Sequence, residues 1–526
     1  MKKQAPFSEY QQQEQLQELL SDYGLLDNLQ YDIASPPIQT CLDEITKFSR
    51  ISTELQDIIE ARKDKPFQFP LTSLQLLRNC GSRFKGPSAD GVLNPFTENK
   101  RAELSTSETM RIASAKFIQS SSVATDHLAL PGHPSDYYFS CSSEDKIRNM
   151  QLARILLAAA EKVGCQQFDA ASKLLDQCDE LCCSTGNPVE RVVYYFSEAL
   201  REKIDRETGR VSIKGLGKKM NLDLDEDIMR PSPPIMLNHQ LVPFAEIQQF
   251  SAIQTIMENV AEAKKVRVVD FGIWSGVQWI VLMQALMHRH ECSLELLKIT
   301  AIGTCSQQVI EDTGKRLETF AQLLLDVPFS FKIIMLQDML ELKEDLFDLD
   351  EEESFVVYAR FLLKTMIPQP ERLESVMKVI KKLNPCVMMV TEVESNHNSP
   401  VFTHRFTEVL FYYSAYFDCL EDCVERDDEN RTVLESVYLG QGIRTILAAE
   451  GEERNIRNVK IDVWRAFFSR FGMVEVDLGV ASLYQANLMV KKFPSGSSCA
   501  LDMNGKCLII GWKGTPIHSL SAWQFE

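Results

Sequence analysis

No window of this 526-residue chain approaches eighteen uncharged apolar residues, so a transmembrane helix is not expected. The first thirty residues, headed by MKKQAPFSEYQQQEQLQELL, lack the continuous apolar stretch of a secretory signal. Basic residues are in deficit, with 56 Lys and Arg against 74 Asp and Glu and a net charge of -18. Displacing counterions from a phosphate backbone requires Lys and Arg, so unaided non-specific DNA binding is disfavoured, although a local basic face is compatible with any net charge. Paired C-x-x-C elements are missing from the fourteen cysteines. Cys178, Cys182 and Cys183 share one helical stretch and Cys419 and Cys423 another, which suits reduced, small buried residues better than zinc ligands. Neither a G-x-S-x-G elbow nor a G-x-x-x-x-G-K-S/T loop occurs, which removes two common enzyme classes.

The chain changes character along its length. Residues 1–147 combine a Gln-rich start with the Ser-rich SSSVATDHLALPGHPSDYYFSCSSED and read as a variable, largely disordered region with short helices. Within it, Leu16 to Leu20 have the spacing of a helix that enters a partner's groove, a spacing that Leu-rich helices also produce by chance. From about 148 the pattern is helical: LARILLAAAEKV is apolar nearly all round, and Phe168, Ala171, Leu175, Cys178 and Cys182 keep one face. Asn187 and Pro188 suit the first positions of a third helix. After the charged KKMNLDLDEDIMRPSPP, the segment PFAEIQQFSAIQTIMENV resumes the helical period, so 148–255 reads as a mainly helical cap.

From 264 onward apolar strands alternate with amphipathic segments: 266–271, 297–302, 331–335, 355–360 and 386–392. Continuous apolar strands of this kind belong to a parallel sheet covered on both faces. The expected class is therefore α/β, a Rossmann-like core over 264–526, closed by a hairpin at the sheet edge around Lys513-Gly514-Thr515-Pro516. Ligands of such sheets gather at the carboxyl ends of the strands. That places interest on Asp270 and the loop of VRVVDFGIWSGVQW. Gly272 and Gly276 are present, but Trp274 stands where a nucleotide site needs bare backbone, so a structural loop without a cofactor is expected.

The same stretch resembles the VHIID segment of the plant GRAS family of transcriptional regulators, with Arg267 in place of the usual His and Val269 in place of an isoleucine. LLAAAEKV and PFAEIQQFSAIQTIMENV are similar to the family's two leucine-rich regions. VMMVTEVESNHNSPVFTHRFTEVLFYYSAYFDCLE resembles the segment around its PFYRE motif, and AAEGEERNIRNVKIDVWR with CLIIGWKGTPIHSLSAW its SAW region. The resemblance covers roughly 148–525 as ordered blocks. Arg457-Asn458-Val459 departs from the family's Arg-His-Glu, and the acidic sequence that names the gibberellin-responsive DELLA branch is absent from 1–147. The resemblance implies a methyltransferase-type core, with some cap helices near 425–460. It also implies a plant nuclear regulator that binds other transcription factors and GRAS proteins, as homo- or heterodimers, and meets DNA mostly indirectly. Leu-rich helix faces would supply apolar contact and the acidic surface would select basic partners. An S-adenosylmethionine-dependent methyltransferase and a direct DNA-binding factor are the alternatives.

Two further clusters invite chemistry. His288 and His290 in HRHEC lie two apart on a helical stretch and cannot easily share an ion, so cations at a helix end are the better reading. After the last parallel strand come Glu392, Glu394, Asn396, His397 and Asn398, with Asn396 or Asn398 a helix cap or a contact. Arg360, ending the preceding strand, is expected to pair with Glu392 or Glu394. The candidates for a partner or groove contact are thus Asp270, Gly272, Gly276, Gln278, Trp279, Arg360, Glu392, Asn396, His397 and Arg405. No catalytic residue, cofactor or metal ligand is assigned, and Trp464, Trp512 and Trp523 are expected in the core.

Overall fold

A computed structural model describes residues 104–122, 144–210, 232–289 and 292–526, except 305–306, 323–327, 349 and 351, and of 115–122 and 452 the backbone alone. Leu16 to Leu20 and His290 lie outside the described residues. In chain order the helices α1 (Thr106–Ser122), α2 (Glu144–Gly164), α3 (Phe168–Leu181), α4 (Pro188–Glu207), α5 (Pro233–Leu241) and α6 (Phe244–Asn259) precede the first strand. Then follow β1 (Lys265–Phe271), α7 (Val277–Met287), β2 (Leu296–Gly303), α8 (Gln307–Phe320), β3 (Phe329–Met335), β4 (Glu353–Arg360), α9 (Pro370–Leu383) and β5 (Val387–Val393). The chain continues through α10 (Phe402–Cys423), α11 (Glu429–Val433), α12 (Gly440–Leu447), α13 (Ile461–Ser469), β6 (Met473–Val476), α14 (Val480–Lys492), β7 (Cys499–Asn504), β8 (Cys507–Trp512) and β9 (Thr515–Phe525).

The strands form one sheet in the order β3-β2-β1-β4-β5-β9-β8-β7, with β6 paired to the far end of β9. β1 to β5 are mutually parallel and β9 runs antiparallel to β5, which makes the α/β core Rossmann-like. Lys513 and Gly514 turn β8 into β9 with φ of 42° and 80°, the positive pair that a two-residue hairpin requires. The hairpin does not simply cap the edge, as the sequence suggested. β9 is interior, bonded to β5 on one side and to β8 on the other, and β7 forms the edge. Covered on both faces, it has no reason to alternate.

The two faces of the sheet bury different partners. Val266, Val268, Tyr358, Val387 and Met389 point into a core that runs without a break into α2, α4 and α10. Val269, Phe271, Val357, Met388 and Val390 pack on α9 and α13, where Trp464 and Trp523 meet Phe468. Trp512 is buried against Phe244 on the cap side. Asn187 caps α4 by accepting from the Val189 and Glu190 amides at 3.0 and 3.1 Å. Arg267, the departure from the usual histidine, is buried and ion-paired to Glu353 at 2.6 Å, while Lys298 meets the other oxygen of that carboxylate.

Two expectations need correction. Residues 1–147 were expected to be largely disordered with short helices, and one helix there joins the folded body: α1 docks with Met110 and Ala113 buried in the cap-side core. Ser105 and Glu108 exchange hydrogen bonds with each other's amides at 3.1 and 2.9 Å, a capping box. The Asp418 carboxylate of α10 accepts from the Thr106 and Ser107 amides, where the helix dipole favours negative charge. The leucines of the first leucine-rich helix, Leu152, Leu156 and Leu157, are also buried in that core and offer no face to a partner.

Candidate functional site at the turn in strand order

Strand order reverses between β1 and β4, so a crevice is expected beyond their carboxyl ends. Asp270 lies beside Tyr358 in register, and Arg360 follows two residues later on the same cap-facing side. The loop after β1 turns with Gly272 at φ 96°, Trp274 at 48° and Gly276 at 74°. Gly276 has two reasons to lack a side chain, since a Cβ there would also meet Thr313 Cγ2 at 2.9 Å.

Trp274 folds its indole back toward Gly272, whose absent Cβ would lie 3.5 Å from the indole Nε1. Its ring lies 5.1 Å from the Arg360 guanidinium and 6.3 Å from Phe361. Asp270 is fully buried, and its Oδ2 accepts from Trp279 Nε1 at 2.7 Å and Gln278 Nε2 at 3.3 Å, which ties the strand end to the first turn of α7. Burial pushes its carboxyl up to about 7, and Oδ1 has no hydrogen-bond partner.

Arg360 does not pair with Glu392 or Glu394. Glu392 accepts from the Lys364 amide at 3.2 Å, and Glu394 from the Ile461 amide at 2.9 Å, so each carboxylate holds a backbone segment. His397 is fully buried, accepting from Asn458 Nδ2 at 2.7 Å and stacked on Tyr413; burial drives its imidazole down to about 3 and keeps it neutral. The departure Arg457-Asn458 thus supplies the partner of His397, while Arg457 donates to Asn398 Oδ1 at 3.3 Å. Arg405 is buried, donating to Ile446 O, Ser399 O and Glu450 at 3.0, 2.8 and 2.5 Å. As contacts for an outside partner, Gln278, Trp279, Glu392, His397 and Arg405 are corrected to interior positions. Asn396 is exposed, and neither it nor Asn398 caps α10, whose N-cap is Val401. In HRHEC, His288 bonds Gln284 O at 2.7 Å and Arg289 holds the carbonyls of Val260 and Ala263.

Composition and spacing passed over residues that the fold brings to the crevice. His518 of β9 accepts from Gln248 Nε2 at 2.6 Å and its ring lies 4.9 Å from that of Phe361. His239 of α5 accepts from Gln249 Nε2 at 3.0 Å, and Tyr416 of α10 donates to Asn238 Oδ1 at 2.9 Å. Burial, with the Arg360 charge behind it, lowers His239 to about 4. The one sequence signal was Tyr358-x-Arg360, two polar groups on one side of an otherwise apolar strand.

The GRAS domain family matches residues 152–524. This chain belongs to that family. DELLA protein GAI1 of Vitis vinifera is 32% identical over 379 residues, 71% of this chain and 62% of that protein, so the match spans less than two thirds of the relative's length. DELLA protein RGL1 of Arabidopsis thaliana is 31% identical over 380 residues, 72% of this chain and 70% of its own. The crystal structure of SCL7 in Oryza sativa superposes with a TM-score of 0.61 at 25% identity, covering 71% of this chain and 99% of that one. Helix α1 lies before the stretch that the GRAS family matches, yet it is part of the folded body.

Proposed function

We propose that this GRAS protein is a plant nuclear regulator of transcription that acts by binding other proteins, transcription factors and GRAS chains among them, and carries no enzymatic activity. The observation that supports this reading is the state of the loop after β1. Its indole is folded toward the glycine that a nucleotide would need bare, and its carboxylate is engaged by Gln278 and Trp279 instead of facing a ribose. With the leucines of α2 in the core, partner contact falls to the outer surface, and the net charge of -18 favours partners with basic faces.

Two measurements test it. The full chain fused to a heterologous DNA-binding domain should change transcription of a reporter in plant cells; an unchanged reporter counts against the regulator. S-adenosylmethionine titrated into the purified chain should give no saturable heat, and saturation at one site per chain would put a methyltransferase in its place.

A further inference from the structure

A buried guanidinium needs an acceptor, and among the described residues one has none. Arg191, Arg267, Arg405 and Arg431 are all buried and each holds a glutamate, while Arg454 reaches the carbonyls of His397 and Ser399. Arg360, 9% exposed, forms no ion pair or hydrogen bond among the described residues, and its Nε is sealed without an acceptor. What it touches is flat and apolar: the rings of Trp274 and Phe361, at 5.1 and 5.3 Å.

Other unmet groups gather around it. Asp270 Oδ1 and Tyr358 Oη lie next to it on the same side of the sheet, buried and unpartnered. Gln248 Oε1, on the α6 side chain that holds His518, is in the same condition. Arg360, Asp270 and Tyr358 thus place three buried polar groups with an unbonded atom on one side of the sheet, at the carboxyl ends of two adjacent strands, where ligands of such sheets gather. The residues around Arg360 are half-buried: Trp274 and Phe361 on the sheet side, and Met236, Asn238 and His239 on α5, all keep some accessible surface.

We propose that the hollow between the carboxyl end of β4 and the helices α5 and α6 binds a small organic monocarboxylate with a flat apolar body, the carboxylate on Arg360 and the body against Trp274 and Phe361. The charge balance selects a monoanion. His239 and His518 are held neutral, and Lys364, the next cation, stands over the outer ring of Phe361 at 5.1 Å and within the field of Glu392. A doubly charged phosphate would bring a second charge with nothing to meet it. Asp270 opposes the ligand only in part, because a carboxyl pushed up to about 7 is about half protonated at neutral pH, and the protonated form can donate from Oδ1. The guanidinium fork offers a carboxylate two parallel hydrogen bonds. The site shares Trp274 and Asp270 with the loop on which the non-enzyme reading rests, but a bound carboxylate would leave the regulator reading to be decided by transcription.

The test uses the purified full chain and naphthalene-2-carboxylate, followed by calorimetry and by ligand-observed NMR. Saturable binding at one site per chain is expected, weakened about tenfold or more in Arg360→Met and equally for the uncharged 2-naphthamide. Arg360→Lys, which keeps the charge but not the fork, should fall between. Sulfate at ~10 mM should not displace the ligand. Equal binding of acid and amide, unchanged binding in Arg360→Met, displacement by sulfate, or no saturation by naphthalene-2-carboxylate, benzoate or 4-phenylbutyrate in a natively melting protein would each overturn the proposal.

Discussion

Beyond β5, Glu394 anchors α13, His397 holds Asn458, and Arg405 reaches three acceptors that tie α10 to the chain on either side of it. Beyond β1 and β4, one layer of the same sheet away, Arg360 reaches none, and Asp270 and Tyr358 each keep an oxygen unbonded. Both places are buried, Asp270 and Tyr358 as fully as His397 and Arg405, and Arg360 slightly less. Burial alone does not separate scaffold from site, and neither does a single unbonded atom, since His397 Nε2 and Asn458 Oδ1 also lack partners; the difference is that His397 and Arg405 each hold a distant segment, while Arg360 holds none among the described residues.

The comparison can be broken, beginning with the largest effect. Arg405→Met should cost about 3–5 kcal/mol, because three acceptors lose a charged donor in the interior. Urea unfolding would read it, and a loss below ~1 kcal/mol would mean that the clamp is dispensable. Next come two opposed pH dependences. His397 ionises at about 3 in the fold against an ordinary 6.5, so its contribution is present above 6.5 and is lost as pH falls toward 3. Asp270 ionises at about 7 against an ordinary 3.8, so its contribution is present below 3.8 and is lost as pH rises toward 7. Relative to wild type, Asp270→Asn should gain stability with rising pH between 3.8 and 7, and His397→Leu should gain with falling pH between 6.5 and 3, each by at most about 1.4 kcal/mol per pH unit. Urea midpoints collected across that range decide the signs.

Smaller still, Arg360→Met should leave the unliganded protein within about 1 kcal/mol of wild type, since the buried charge it removes has no hydrogen-bonded acceptor among the described residues, only the field of Asp270 and two ring faces. A thermal midpoint lowered beyond that range would reveal an internal partner and erase the contrast with Arg405. Asn396→Ala, on an exposed side chain in the well-bonded loop, should stay within about 0.5 kcal/mol of wild type in the same melt.

Much of the sheet was legible because β1, β2, β4 and β5 are largely buried on both faces and so read as mainly apolar runs. The cap of α4 was legible because Asn187 and Pro188 act within one turn. Short helices were expected before 148, but α1 was not placed although Ser105 and Glu108 carry a capping-box spacing, since the Ser-rich composition nearby outweighed a four-residue signal. The pairing of Arg360 was misjudged for a different reason. Arg360 sits opposite Thr391 in register, and the next residue, Glu392, points to the other face. A strand's neighbours follow from a register that no local pattern states, and one residue of shift exchanges its faces.

Local spacing and side-chain type determined the α/β class, the strands, the helix starts and the turn at Lys513-Gly514, because each depends on residues within a few positions of one another. Which charges found partners was decided only when distant segments met: Arg267 with Glu353 across two strands, His397 with Asn458 across sixty residues of chain, and Arg360 with none. The free energy of a buried polar group depends on what stands against it in space, and that is a property of the folded assembly of elements.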